Sequence, residues 1–214
     1  MFKKIFGGIG KRPTQTQPST PTATITVVSG LPRSGTSLMM RMLEAGGIPP
    51  LTDHQRTADD DNPGGYYEFE RVKQLEKGDT AWLTEMSGKV VKVISLLLRH
   101  LPSDYHYKVV FMERDLTEVL ASQRKMLSNR HEDEAVNEAV DDAQMTALFT
   151  HHLQEIRQWL AAHDNFAVLY VNYGDLLANP QPTVAALKRF LGDWLDTAAM
   201  LTVIDPTLYR NRQE

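Results

Sequence analysis

A three-layer α/β fold, with a mainly parallel β-sheet flanked by helices, is the architecture this chain encodes. Short apolar, strand-like runs alternate with helical patterns along most of its length. Two of the runs, 109–112 and 166–171, are apolar on nearly every successive residue, as strands buried on both faces are. A glycine-rich turn joins the first run to the first helical pattern. Such alternation implies right-handed crossovers. Ligands then sit outside the carboxyl ends of the strands.

Thr24 to Val28 reads as the first strand, and Leu38, Met39, Met42 and Leu43 are spaced as one face of a helix. Residues 46–61 are loop-like, broken by Gly46-Gly47 and Pro49-Pro50, and the acidic run Asp59-Asp60-Asp61 leads into the turn signal Asn62-Pro63-Gly64-Gly65. A helix is expected over 66–82, strands over 89–98 and 108–113, and a helix over 116–127. Residues 134–163 support one long helix or two, and 166–172 form a further strand. The helical pattern of 174–192 is interrupted and restarted at Pro180 and Pro182. No internal repeat is visible.

The 214 residues suffice for one well-cored domain, expected over 24–214. A hydrophobic share of 42% with 23% charged residues is that of a globular protein. The net charge of −4 argues against nucleic acid as a partner. With no cysteine, disulfides, thiolate catalysis and cysteine-based zinc sites are excluded. His151 and His152 are adjacent on a helical pattern, so their side chains diverge, and no metal site is expected. No apolar run reaches the length of a membrane span, and no secretory leader is legible, so a cytoplasmic location is expected. Residues 1–23 read as a flexible basic tail and a Thr/Pro/Gln/Ser-rich linker. Lys3, Lys4, Lys11 and Arg12 beside Phe2, Ile5 and Phe6 leave peripheral membrane contact as the alternative for its first twelve residues.

The chemistry concentrates in Gly30-Leu31-Pro32-Arg33-Ser34-Gly35-Thr36-Ser37. Gly30, Gly35 and Ser37 match the phosphate-binding template G-x-x-x-x-G-K-[ST], but Thr36 stands where the lysine belongs. Backbone N–H groups of such a turn, with the helix N-terminus, bind an anion. The cation must come from elsewhere, and Arg33 is the nearest candidate. A second anion site is suggested by Arg114 at the end of a strand and Ser122 eight residues on, a guanidinium fork and a neutral donor able to face one point.

Pro32-Arg33-Ser34-Gly35-Thr36-Ser37 resembles the 5′-phosphosulfate loop of sulfotransferases that use 3′-phosphoadenosine 5′-phosphosulfate, which reads P-[KR]-S-G-T-[ST]. The Arg114/Ser122 segment is similar to the 3′-phosphate-binding segment of the same enzymes. Asn62-Pro63-Gly64-Gly65-Tyr66-Tyr67-Glu68 resembles the N-P-x-G-Y-x-E stretch of bacterial members, and the segment from Val171 through Tyr173 to Leu177 their closing strand and helix. The resemblance spans about Thr24 to Arg212. It implies a P-loop-type fold and a sulfuryl transfer to a hydroxyl or amine of a small-molecule, carbohydrate, lipid or peptide acceptor. It further implies a nucleotide held by Gly30, Pro32, Arg33, Ser34, Gly35, Thr36, Ser37, Arg114, Ser122, Tyr173 and Arg212, with no metal.

Sulfuryl transfer, like phosphoryl transfer, is catalysed by positioning and electrostatics. Arg33 is the expected electrostatic catalyst, and Lys89 or Lys92 a second cation, since the family often carries a lysine on this strand. The histidine of its Lys-x-His segment is replaced by Ile94 in Lys92-Val93-Ile94. Glu68 is the expected general base, following the glycine turn and flanked by Tyr66, Tyr67 and Phe69, which could desolvate it. Asp53 and His54 are the alternatives. Two other functional readings remain. One is a P-loop kinase with Asp115 holding magnesium, against which the missing lysine counts; the other is a nucleotide-binding module without turnover.

Overall fold

The computed structural model describes residues 24–205 except 54, 56–58, 60, 61, 63 and 130–141. The N-terminal tail, His54 and Arg212 thus lie outside the described residues. Four parallel strands, β1 (Thr24–Gly30), β2 (Val90–Lys92), β3 (His106–Glu113) and β4 (Phe166–Asn172), form one sheet in the order β2-β1-β3-β4. The helices are α1 (Thr36–Ala45), α2 (Leu116–Asn129), α3 (Asp142–Ala161), α4 (Tyr173–Ala178), α5 (Pro180–Leu191) and α6 (Thr197–Thr202). This is the α/β layering expected.

The central strands β1 and β3 are buried on both faces, which is why their sequences run apolar without alternation. Alternate residues serve two separate cores. Val27, Tyr107, Val109 and Phe111 join Trp82, Leu98, Ile156 and Leu160 on one face. Val28, Val110 and Met112 join Met39, Met42, Leu43, Leu187 and Met200 on the other. Helix α1 is thus held beneath the sheet by a methionine-rich surface that fills irregular gaps.

Two stretches depart from expectation. Residues 66–69 are irregular, and the helix expected over 66–82 is instead a pair of 3₁₀ turns, Glu70–Lys77 and Ala81–Glu85. The buried pair Val72 and Leu75 is spaced by three, the 3₁₀ period, and Gly78 stops the first turn at φ 83°. The strand expected over 89–98 is only Val90–Lys92, followed by a 3₁₀ turn at Ser95–His100. Its pairing with β1 ends at Lys92 beside Val28, short of the end of β1 at Gly30, and Val93 N–H makes the last bond, to Val28 O. Leu97 and Leu98 are buried all the same. Helix α3 begins at Asp142, and the earlier part of the helix expected over 134–163 lies outside the described residues. The break between α4 and α5 falls at Asn179, before the proline that restarts the helix. No described helix is long and apolar enough to cross a membrane.

Candidate active site

The parallel register brings the carboxyl ends of all four strands to one edge: Lys92 pairs with Val28, Met112 with Gly30, and Asn172 with Glu113. Beyond that edge opens a cleft of ≈ 440 Å³. Arg33, Thr36, Ser37, Glu68, Lys92, Arg114, Ser122 and Tyr173 all line it. These come from segments far apart in sequence, and the volume suits a small ligand.

The loop between β1 and α1 is shaped by two glycines and one arginine. Gly30 lies so close to β3 that a Cβ there would stand 2.6 Å from Met112 O. Gly35, at φ 99°, is pressed by the Tyr173 ring, which would lie 2.3 Å from an added Cβ. Arg33 adopts φ 72°, a left-handed conformation uncommon outside glycine. Helix α1 starts with no side-chain cap and no acid in its first turn, so its leading N–H groups and dipole are available to an anion. Gly35→Ala is expected to cost about 2 kcal/mol of stability through overpacking and strain. That lowers the melting temperature by about 4–8 °C in a chain of this size, as a thermal melt would read.

Arg33 Nε donates to Ser122 Oγ at 2.9 Å, and Arg33 O accepts from an Arg114 terminal nitrogen at 3.1 Å. The loop and the β3–α2 segment are therefore joined directly. Arg114 lies 4.6 Å over the Tyr173 ring and also donates through Nε to Glu118 at 2.8 Å, with both side chains under a tenth exposed. Burial pushes the Tyr173 phenol up, opposed by Arg114.

Glu68 lies on the irregular stretch just before the first 3₁₀ turn and lines the cleft. Its carbonyl accepts from Thr52 Oγ1 at 2.8 Å, and its carboxylate lies 3.6 Å from Lys73 Nζ. At 22% exposure the side chain is partly shielded. The expected desolvation by neighbours is only partly met. Tyr66 and Phe69 line the cleft, but Tyr67 (φ 53°) turns away to bond Glu44 at 2.5 Å. Asp53, the alternative base, does not line the cleft. Its Oδ2 accepts the Glu70 N–H at 2.7 Å, and although burial acts to raise its carboxyl, the N–H groups of Glu70 and Gln55 hold it below the ordinary value. It anchors the segment carrying Glu68.

Of the two lysines, Lys92 reaches the cleft and bonds the Tyr66 carbonyl, whereas Lys89 precedes β2 at its far end and does not line the cleft. Ser34 is buried with its hydroxyl unpartnered among the described residues, lines a smaller hollow and not the cleft, and its N–H bonds Leu31 O at 3.2 Å. Ile94, standing where the family has its histidine, contributes apolar wall; His152 from α3 bonds Ser95 next to it at 2.8 Å but does not line the cleft. Asp115 caps the start of α2 by accepting from Thr117 and Glu118, and its carboxyl is held down chiefly by Thr117. That engagement does not favour the magnesium-holding role.

Three further cations, not anticipated from the sequence, line the cleft: Arg41, Lys73 and Lys125. Arg41 lines the cleft, and its Nε is buried with no hydrogen-bond partner among the described residues. The signal was present, since Arg41 follows Ser37 by four residues and shares its helix face.

An α/β protein with a parallel sheet whose glycine-bent, arginine-bearing loop opens onto a cleft at the carboxyl edge has the form of a group-transfer enzyme. The chain belongs to the sulfotransferase family: the family model described as sulfotransferase domain matches residues 24–213. Among solved structures the chain is similar to the sulfotransferase domain from the curacin biosynthetic pathway, with 18% identity and a TM-score of 0.46, covering 90% of this chain and 88% of that one. No curated protein matches.

Proposed function

We propose that this sulfotransferase moves a sulfuryl group from 3′-phosphoadenosine 5′-phosphosulfate to a hydroxyl or amine of its acceptor by in-line displacement. The observation that carries this reading is the single cleft in which the arginine-bearing loop, Glu68 and the Arg114/Ser122 pair meet. The cradle fits the donor's anionic groups: α1 is uncapped, and Arg41 adds a cation to the same wall.

The loop N–H groups, Arg33, Thr36 and Ser37 would hold the 5′ end, and Arg114 and Ser122 the 3′-phosphate, with Tyr173 packed beneath Arg114. When bound, the donor supplies an activated sulfuryl group whose charge is spread over its oxygens. Arg33 assists electrostatically only, since a guanidinium does not give up its proton. Glu68 would accept the acceptor's proton, and Lys92 adds positive charge at the same edge.

Calorimetric titration with adenosine 3′,5′-bisphosphate and with ATP, each with and without magnesium, tests the reading. Binding of the bisphosphate at equal strength with and without magnesium is expected. Binding of ATP alone, and only with magnesium, would replace this reading with a kinase-like one.

A further inference from the structure

The hydroxyl of Ser37 has two roles open to it, donor and acceptor, and its neighbour fixes which. Asn62 Nδ2 lies 3.0 Å from Ser37 Oγ and 2.6 Å from Gly65 O. The carbonyl can only accept, so the atom facing it must be the amide nitrogen and not the amide oxygen. Both amide hydrogens are then committed, one to Gly65 O and one to Ser37 Oγ. Ser37 therefore accepts from Asn62, and its own proton has no protein acceptor among the described residues. Ser37 lines the cleft, so that proton is free to be donated there.

Asn62 is itself firmly placed. Its backbone N–H donates to Asp59 Oδ1 at 3.0 Å, and the same carboxylate accepts from the Tyr66 hydroxyl at 2.7 Å. The Gly65 N–H returns to Asn62 O at 3.0 Å. Lys92, bonded to the Tyr66 carbonyl, ties this turn to the sheet edge. Asp59, expected in a solvated acidic run, is thus the anchor of a small polar turn laid against the first turn of α1.

We propose that Asn62 is a positioning residue that sets the polarity of the Ser37 hydroxyl, obliging it to donate to the 5′ group of the bound nucleotide. This rests on the donor reading above. It assigns Asn62 no contact with the nucleotide; the residue acts through Ser37 alone.

The test compares two nucleotides by calorimetry, adenosine 3′,5′-bisphosphate and adenosine 3′-monophosphate, on wild type, Asn62→Asp, Ser37→Ala and the double variant. The carboxylate introduced by Asn62→Asp accepts from Ser37 and withdraws its proton from the cleft. The expected result is an approximately tenfold loss of bisphosphate affinity, the scale of one hydrogen bond to a charged group. Affinity for the 3′-monophosphate, which lacks the 5′ group, should stay within about twofold of wild type, which also reports that the site is folded. In the Ser37→Ala background, Asn62→Asp should add less than about twofold.

Equal losses for both nucleotides would show that the turn is merely structural and overturn the inference. So would full additivity of the two substitutions, or wild-type binding of the bisphosphate by Asn62→Asp. Wild-type protein that binds the 3′-monophosphate and the bisphosphate equally retains the 3′ site but removes the Ser37 contact, and the inference with it. Wild-type protein that binds neither overturns the donor reading first, and this inference as its dependant.

Discussion

Glu68→Gln is expected to lower kcat by about 10²–10⁴-fold, the range spanned by loss of a positioned general base. Glutamine keeps the shape and the polar contact with Lys73 but cannot take a proton. Affinity for adenosine 3′,5′-bisphosphate should be little changed, because the segment of Glu68 is fixed through its carbonyl, by Thr52, and through the Glu70 N–H, by Asp53. The measurement is steady-state turnover beside nucleotide titration on the same preparation. Asp53→Asn supplies the control, since it weakens the anchor of the segment without removing the proposed base. Turnover lost in Asp53→Asn but retained in Glu68→Gln would exchange the two assignments.

Arg114→Ala carries the second large effect, and it has two parts that must be separated. The arginine is under a tenth exposed and neutralises a Glu118 carboxylate that is just as buried. Its removal breaks that buried pair, which costs about 3–5 kcal/mol. It also removes the fork proposed for the 3′-phosphate, and nucleotide affinity should fall at least about tenfold, as for loss of a hydrogen-bonded charge partner. The double variant Arg114→Ala/Glu118→Gln removes the buried carboxylate charge as well and should recover most of the melting temperature. It should recover none of the affinity. Recovery of both would mean that Arg114 serves Glu118 and nothing else.

How much of this was legible in the sequence depended on how local the physics is. The Gly30–Ser37 cradle could be read because strand, turn and helix occur consecutively, and each residue type has a backbone reason to be there. Arg114 and Ser122 could be read for the same reason, as a strand end and a helix face two turns on. The choice between Lys89 and Lys92 could not, because it turns on where β2 starts and stops, which its pairing with β1 decides only in the folded chain. The surroundings of Glu68 were hidden for a related reason. Lys73 reaches it from a 3₁₀ turn, where a longer α-helix was expected, and Tyr67 leaves it through a left-handed backbone. Arg41 was legible and overlooked. Asn62 was visible within a motif, but its amide geometry belongs to the folded chain alone.

The contact between Gly35 and Tyr173 bears on how far the loop is a module at all. A hexapeptide that a search can find, Pro32 to Ser37, is completed by an aromatic ring delivered after the last strand of the sheet. Grafted into another strand–turn–helix without that ring, the same six residues would have an empty space where the turn is now supported, and nothing to hold Arg114 above it. The loop is therefore not portable, and an engineer moving this chemistry to a new scaffold must carry the tyrosine with it.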